Sequence, residues 1–291
     1  MIRGRYRWLV LFAAMAVVAG LCPAAAEPAP PAETASPQRV VSFNICADQL
    51  AVALADPGQI AALSPYAADP ALSAVAEEAR RFRSIGWHAE STIPLQPDLV
   101  LVGPRDRSAT QRLLRGLGFR VVELDFVNSI AAAREQIVQV AALLGHPERG
   151  EALLARLEAA QRRLAAAARP RATTALLVER SGYTEGPASL AAGLIAEAGL
   201  RPPPGAPSGM GGYVALESLI MMRPDLLVLH NLVETPHDQG SVYLTHPALK
   251  ELYPPSRRIV LPVRYTLCGG PGLIAGLGHL ANELKRVAAG K

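Results

Sequence analysis

The stretch ESTIPLQPDLVLV, Glu90–Val102, decides the fold, because the chain contains a close copy of it, ESLIMMRPDLLVL, at Glu217–Leu229. Both copies read E-S-x-I-x-x-x-P-D-L and continue with apolar residues. Proline ends a helical turn, aspartate favours the turn that follows, and a short apolar run is typical of a buried strand. The phrase is also a common way to enter a parallel strand. The glutamate that stands seven residues before each proline favours two similar structural units over a chance recurrence.

Short apolar runs alternate with helical patterns around each copy. Further strands are predicted at Arg39–Phe43, Gln59–Ser64, Arg120–Leu124, Thr173–Glu179 and Arg257–Pro262. Helices are predicted at Ser108–Leu117, Ser189–Ala198 and Leu273–Val287. Strands that alternate with helices indicate βαβ units and parallel sheets, so the fold class is α/β.

The middle of the chain has a different pattern. Ser129–Leu144 and Pro147–Ala167 predict two helices with no strand between them, since glycine at 145 suits a helix end and Pro147 suits a first turn. The second helix is about 20 residues, or about 30 Å, long. We therefore expect two similar α/β lobes joined by one long linking helix. The expected boundaries are 39–128 for the N-terminal lobe, 129–170 for the helical linker and 171–291 for the C-terminal lobe.

The first 26 residues have the features of a secretory signal peptide. Arg3, Arg5 and Arg7 precede the apolar run Trp8–Leu21, and three alanines at 24–26 offer a cleavage site. The alternative is a retained membrane anchor, although the run is shorter than a span of about 20 residues. Residues 27–38, rich in proline and alanine, predict a disordered leader. Loss of three arginines lowers the formal charge from +4 to +1, so the composition gives no case for nucleic-acid binding.

Taken together, the signal peptide, the two α/β lobes, the long helix and the repeated phrase resemble the substrate-binding proteins of ABC importers for iron–siderophore complexes, haem and cobalamin. The resemblance covers about Arg39 to Leu284. It implies a periplasmic monomer, without enzymatic activity, that holds a ferric siderophore, cobalamin or haem in a cleft between the lobes. It also implies that Glu90 and Glu217 dock onto the permease dimer in the inner membrane. The alternative for each glutamate is a favourable interaction with its own helix N-terminus.

Ligand contacts are expected in loops that follow the strands, because ligands of parallel α/β sheets lie beyond the carboxyl ends of the strands. Aromatic rings suit a macrocycle or a catecholate, and arginines suit an anionic chelate. The alternatives are ordinary loop packing for the rings and solvent exposure for the arginines. The predicted ligand-binding residues are Trp87, Tyr265, Arg105, Tyr183, Arg264, Asn44, His230 and Tyr213.

Two cysteines remain if Cys22 leaves with the signal peptide. Cys46 and Cys268 lie in opposite halves, each after a predicted strand. An exported protein with two cysteines usually forms a disulfide, which here would pin the cleft. Two other arrangements stay open: a thiol that contacts the ligand, or two buried and inert thiols. These cysteines depart from the common pattern of the family.

Three other functions compete with a chelate receptor. A zinc or manganese receptor would use three or four histidine and carboxylate ligands, but none of the histidines has i, i+4 or H-x-H spacing (His88, His146, His230, His237, His246 and His279). A periplasmic chelatase-like enzyme would need His88 or His230 at the cleft, and the chain has no nucleophile-elbow, Walker or H-E-x-x-H motif. A scaffolding protein would share the composition.

Overall fold

A computed structural model describes residues 36–105, 107–168, 173–232, 235 and 238–290. The predicted signal peptide with Cys22, the predicted leader before Ser36 and His237 lie outside the described residues, as do the last two residues of the predicted linker. Among the described helices, none combines the length and the apolarity that a membrane crossing requires.

The first half of the chain forms a four-stranded parallel sheet with helices on its faces. Its elements are β1 (Val40–Ser42), α1 (Ile45–Leu54), β2 (Ile60–Ala62), α2 (Ala76–Ala79), α3 (Ala89–Thr92), β3 (Leu99–Val102), α4 (Ser108–Gly116) and β4 (Val121–Glu123). The strand order is β2-β1-β3-β4, and all neighbours are parallel. Below, N-terminal lobe means residues 39–128.

Two consecutive helices connect the halves, α5 (Ile130–Leu144) and α6 (Pro147–Ala165). Gly145 ends α5 in the left-handed region, and Pro147 occupies the first turn of α6. With 19 residues, α6 is about 28 Å long. This is the long linking helix that the sequence predicts.

The second half forms a three-stranded parallel sheet and a small antiparallel ribbon. Its elements are β5 (Ala175–Leu177), β6 (Tyr183–Glu185), α7 (Leu190–Glu197), β7 (Gly211–Tyr213), α8 (Leu216–Met222), β8 (Leu226–Leu229), α9 (Gln239–Thr245), α10 (Pro247–Leu252), β9 (Arg258–Val260) and α11 (Pro271–Ala288). The parallel order is β5-β8-β9, and β6 pairs with β7. The α/β class with parallel sheets is confirmed, whereas the ribbon replaces two predicted loops. We refer to the described residues from 173 onward as the C-terminal lobe.

The repeated phrase has the same backbone in both lobes. Gln96 and Arg223, each directly before the proline, adopt the left-handed conformation with φ of 46° and 44°. Each then leads into a central strand whose four residues are all buried, β3 in one lobe and β8 in the other. The turn therefore re-aims the chain from a short helix into the middle of a sheet.

The aspartate of the phrase forms hydrogen bonds with the backbone at the start of the neighbouring strand. The carboxylate of Asp98 accepts hydrogen bonds from the backbone N–H groups of Gln38 (2.6 Å) and Arg39 (2.9 Å), just before β1. Asp225 accepts from the N–H of Thr174 (2.7 Å), just before β5. Thus the sequence P-D-L recurs because each lobe needs the same acceptor at the start of its first strand.

Both parallel sheets are buried on two faces. In β8, Leu226 and Val228 join the main core, whereas Leu227 and Leu229 join a smaller cluster on the other face. The main core is continuous between the lobes, since it also contains residues of α1, α5, α6, α7 and α11. The C-terminal helix α11 packs along the linking helix α6 and also contacts α1. The helical layer thus joins the two sheets through one common core.

Candidate functional site

The loops at the carboxyl edge of the N-terminal sheet carry an aromatic cluster. The indole Nε1–H of Trp87 donates to the carbonyl of Phe43 (3.2 Å), which fixes the ring behind β1. Its ring centroid lies 5.1 Å from that of Tyr66, and the Arg107 guanidinium carbon lies 4.4 Å from the ring of Trp87. This geometry is suited to stacking and cation–π contact. Tyr66 was missed in the sequence because it belongs to a loop far from the repeated phrase.

Two other predicted residues lie at the same edge. Asn44 is the N-cap of α1, because its Oδ1 accepts hydrogen bonds from the N–H groups of Cys46 (2.9 Å) and Ala47 (3.4 Å). Its side chain therefore has a structural role that the sequence analysis did not assign. Arg105 is exposed and left-handed, with φ of 54°, and its backbone N–H donates to the carboxylate of Glu123 (3.0 Å). Its guanidinium makes no hydrogen bond or ion pair to another described residue.

In the C-terminal lobe, two carboxylates surround a buried histidine. His230 directly follows β8, and its Nδ1–H donates to the carbonyl of Leu261 (2.7 Å). Its Nε2 lies 3.5 Å from Oε1 of Glu179 and 3.4 Å from Oε1 of Glu185. Burial alone would lower the pKa of His230, but the two glutamates and the Leu261 carbonyl outweigh it and raise the pKa to about 9. The sequence predicts His230 at the site, whereas no sequence pattern indicates either glutamate.

The pKa of Glu185 responds to the same contact. Burial alone would raise the pKa of Glu185, but hydrogen bonds from His230 and Ser189 lower it below its ordinary value. Glu179 ends the segment after β5, and Glu185 ends β6. The unpredicted β6–β7 ribbon is thus the element that brings Glu185 to the histidine.

Two arginines of the C-terminal lobe already have partners. Arg180 forms an ion pair with Asp238 (2.6 Å). Arg264 donates to the carbonyl of Pro70 in the N-terminal lobe (2.9 Å) and to the hydroxyl of Tyr265 (3.3 Å). The ring of Tyr265 packs against that of His279 on α11, with centroids 5.2 Å apart. Ligand contact by Arg264 and Tyr265 stays a prediction.

The ribbon presents a pair of tyrosines. Tyr183 and Tyr213 are direct partners in the β6–β7 register, and their rings meet edge to face at 5.4 Å. The hydroxyl of Tyr183 donates to the carbonyl of Met210 (3.3 Å). Tyr213 is 76% exposed, so its ring has a free face. The structure thus brings together two residues that the sequence places on separate loops.

A cavity of about 210 Å³ lies where the lobes meet. Phe126 and Val127 line it from the N-terminal lobe. The C-terminal lobe supplies the remaining lining, which includes Tyr183, Glu185, Met210 and Leu267. Phe126 was missed because the loop after Arg120–Leu124 was not considered, although it follows a strand as the other candidate loops do.

A disulfide links the lobes beside this cavity. Cys46, at the start of α1, is bonded to Cys268, which precedes α11, with a Cα–Cα distance of 5.1 Å. This is one of the three arrangements that the sequence left open. The next residue back, Leu267, lines the cavity. The covalent link and the Arg264–Pro70 hydrogen bond therefore join the lobes on one side of the cleft.

The two glutamates of the repeated phrase occupy matching positions. Glu90 lies in the first turn of α3 and Glu217 in the first turn of α8, and both are exposed. Neither forms an ion pair or a side-chain hydrogen bond with another described residue. Both carboxylates are therefore available to a partner.

The sequence and the fold are similar to those of known binding proteins. A family model described as periplasmic binding protein matches residues 40–239. The apo form of the periplasmic heme-binding protein RhuT from Roseiflexus sp. RS-1 is similar, with a TM-score of 0.68 and 24% identity over 86% of this chain and 99% of that chain. The periplasmic vitamin B12 binding protein BtuF of Vibrio cholerae has a TM-score of 0.63 and 16% identity, over 87% and 98%.

A periplasmic heme binding protein from Pseudomonas aeruginosa has a TM-score of 0.64 and 22% identity, over 85% of this chain and 92% of that chain. No curated protein sequence gives a significant match. At these identities the structural similarity establishes the fold.

Proposed function

Because the chain belongs to the periplasmic binding protein family, whose model matches residues 40–239, we propose that it is the periplasmic substrate-binding component of an ABC importer for a metal chelate. Similar structures include binding proteins for heme and for vitamin B12. Family members bind substrates, so the chain is not an enzyme. It captures its ligand between the lobes and delivers it to the permease, and the ligand class that best fits the cleft is a corrinoid such as cobalamin.

The main support for a corrinoid ligand is a set of exposed apolar side chains around the cavity. Phe126 is 60% exposed, Met210 49% and Leu267 39%, and with Tyr213 they border the space between the lobes. Large apolar side chains grouped at a concave surface mark a ligand site. A macrocycle with broad apolar faces would cover them. Since the cavity holds only about 210 Å³, a macrocycle would extend out of it. Tyr213 and Trp87 are the residues that we propose to contact the part outside the cavity.

The charges of the cleft favour a ligand of low net charge. Arg180 pairs with Asp238 and Arg264 donates to the carbonyl of Pro70, whereas the guanidinium of Arg105 makes no hydrogen bond or ion pair within the described part of the chain. Glu179 and Glu185 add negative charge nearby. A multiply charged anionic siderophore would need several free cations to offset its own desolvation. Cobalamin is therefore our first candidate, and haem and ferric siderophores are the alternatives.

Delivery would use one glutamate from each lobe. Glu90 and Glu217 are exposed, unpaired among the described residues and equivalent by the repeat. Two separated carboxylates suit a permease dimer, because two ion pairs fix the orientation of a monomeric binding protein. Such rim charges change association rate and orientation more than affinity.

Calorimetric titration of the purified mature protein with cobalamin, haem and ferric siderophores tests the ligand. We expect binding of cobalamin, and we expect Met210→Ala to weaken it about tenfold, since burying a large apolar side chain contributes about 1.5–3 kcal/mol. Met221→Ala is the matched control, because Met221 is 83% exposed and lies outside the cavity lining. Binding of another chelate alone would replace cobalamin, and equal effects of the two substitutions would remove the cavity from the proposal.

Permease docking is tested with the double variant Glu90→Gln/Glu217→Gln. We expect unchanged ligand affinity and transport slowed on the order of tenfold in reconstituted vesicles with the cognate permease. Glu78→Gln is the control, since Glu78 is also an exposed glutamate in the first turn of a short helix but is not part of the repeat. Normal transport by the double variant would rule out this docking mode.

A further inference from the structure

The cluster of Glu179, Glu185 and His230 has an arrangement that the capture of a chelate does not require. Oxygen and nitrogen atoms from the three side chains all lie within 4.8 Å of one another. The histidine is almost fully buried, and the glutamates are partly buried. Among the described residues, this is the one group of three or more histidine, cysteine and acidic side chains with such convergence.

The distances are long for charge-assisted hydrogen bonds from a protonated histidine. Nε2 lies 3.5 Å from Glu179 and 3.4 Å from Glu185, whereas a charged N–H···O contact is about 2.7–2.9 Å long. Nε2 also carries a single hydrogen, which points toward one acceptor at a time. The proton on Nε2 therefore satisfies at most one of the two carboxylates at a time.

The same distances suit ligands around a small metal ion. Zinc binds histidine nitrogen and carboxylate oxygen at about 2.0–2.2 Å in tetrahedral sites, which places neighbouring ligand atoms about 3.4 Å apart. The observed Nε2–oxygen separations of 3.4 and 3.5 Å match this spacing. Only small movements of the two side-chain oxygens would be needed to close around an ion.

The surroundings of His230 also suit a metal-binding histidine. Nδ1–H donates to the carbonyl of Leu261, so Nε2 is the nitrogen that faces the carboxylates, and it offers a lone pair once a bound metal ion displaces its proton. A backbone acceptor behind the ring is the usual support of a metal-binding histidine. Two carboxylates and a neutral imidazole would also balance a doubly charged cation, which limits the cost of its partial burial.

We propose that Glu179, Glu185 and His230 form a binding site for one divalent transition-metal ion of the zinc type. The imidazole disfavours calcium and magnesium, which prefer oxygen ligands in larger number. Three protein ligands leave a fourth position open. Glu185 lines the cavity between the lobes, and Glu179 and His230 line an adjoining one that shares Val263 with it. Water, or a donor atom of a molecule in the cleft, would occupy the fourth position.

Calorimetric titration of chelator-treated mature protein with Zn²⁺ tests the site. We expect one ion per chain, with affinity reduced at least about tenfold in Glu179→Gln, Glu185→Gln and His230→Gln, since loss even of an outer partner of a metal ligand costs about 10–100-fold. Titration with Co²⁺ should give the visible absorption of a four-coordinate site. Magnesium should give no comparable binding.

His146→Gln is the matched control. His146 also lies between two carboxylates, 3.5 Å from Asp56 and 3.5 Å from Glu148, but it faces them with different ring nitrogens and offers no common point for an ion. Zinc affinity of this variant should equal that of the wild type. If His230→Gln does not fold, the zinc affinity of Glu179→Gln tests the site instead. Glu179 is the most exposed of the three ligands, so its substitution disturbs the fold least.

Absence of stoichiometric zinc binding by the wild type would overturn the proposal. Equal affinities of wild type and the three ligand variants would do so as well. The outcome is independent of the transported chelate, because zinc is titrated without it. Zinc binding that survives a failure of every chelate to bind would leave this site standing and remove the proposed corrinoid ligand.

Discussion

Removal of the Cys46–Cys268 disulfide should lower the stability of the folded chain by several kcal/mol. The bond closes a loop with a sequence separation of 222 residues. The loss of chain entropy in a crosslinked unfolded state then amounts to about 5 kcal/mol at 25 °C. The relation counts only the unfolded state, and measured losses for native disulfides are about 2–5 kcal/mol. We therefore expect a decrease within that range.

Urea unfolding followed by circular dichroism measures the change. The oxidised wild type is compared with the same protein after reduction, which removes the bond without removing an atom of packing. The variant Cys46→Ser/Cys268→Ser should match the reduced wild type, and both single variants should match the double one, because one cysteine alone closes no loop. Reductant should leave the double variant unchanged.

Two results would refute this reasoning. Titratable thiols in the unreduced, unfolded wild type would show that the bond does not form. A bond that forms but contributes less than about 1 kcal/mol to the free energy of unfolding would contradict the entropy argument. It would show that other contacts already restrict the unfolded chain as strongly as the disulfide does.

Further predictions concern stability. Burial raises the pKa of Asp48 to about 6, against hydrogen bonds from Ser42 and Ser64, so the folded chain retains a proton that the unfolded chain has released. The free energy of unfolding should therefore fall by about 3 kcal/mol as pH rises from about 3 to about 7, and urea titrations should show that Asp48→Asn removes this slope. Gly182→Ala should cost at least about 3 kcal/mol, because Gly182 has φ of 76° and an added Cβ would lie 2.6 Å from the ring of Tyr243. The same measurement on Gly118→Ala should give about 1 kcal/mol, since Gly118 has φ of 88° but open space around it; equal costs would contradict the steric argument.

The regular elements could be predicted because their patterns are local. Every parallel strand predicted from an apolar run is present, and the linking helix follows directly from Gly145-His146-Pro147. The β6–β7 ribbon was not predictable in this way. Its strands have three residues each, and β7 reads Gly-Gly-Tyr, which has no strand pattern. It exists because the two segments pair with each other across the fold.

The site was only partly predictable for the same reason. Trp87, Arg105 and His230 were selected because each follows a strand or precedes the repeated phrase. Glu185 could not be associated with His230, since the contact spans 45 residues and depends on the ribbon. Similarly, pairing of Cys46 with Cys268 depends on how the segment before α11 packs onto α1, and spacing alone does not determine this.

The repeat also shows where the lobes differ for a reason other than folding. The strand pairing is the same in the two lobes. By this correspondence, Asn44 in the N-terminal lobe is equivalent to Glu179 in the C-terminal lobe, and Gly103 is equivalent to His230. In the N-terminal lobe this pair serves the fold: Asn44 caps α1, and a side chain at 103 would collide with its amide. In the C-terminal lobe the same two positions hold a carboxylate and a buried imidazole 3.5 Å apart. Neither side chain caps a helix in the described structure, and burial of charged groups carries a desolvation cost. The repeat therefore explains the scaffold and the matching positions of Glu90 and Glu217, whereas this departure from it indicates a binding role for the C-terminal pair.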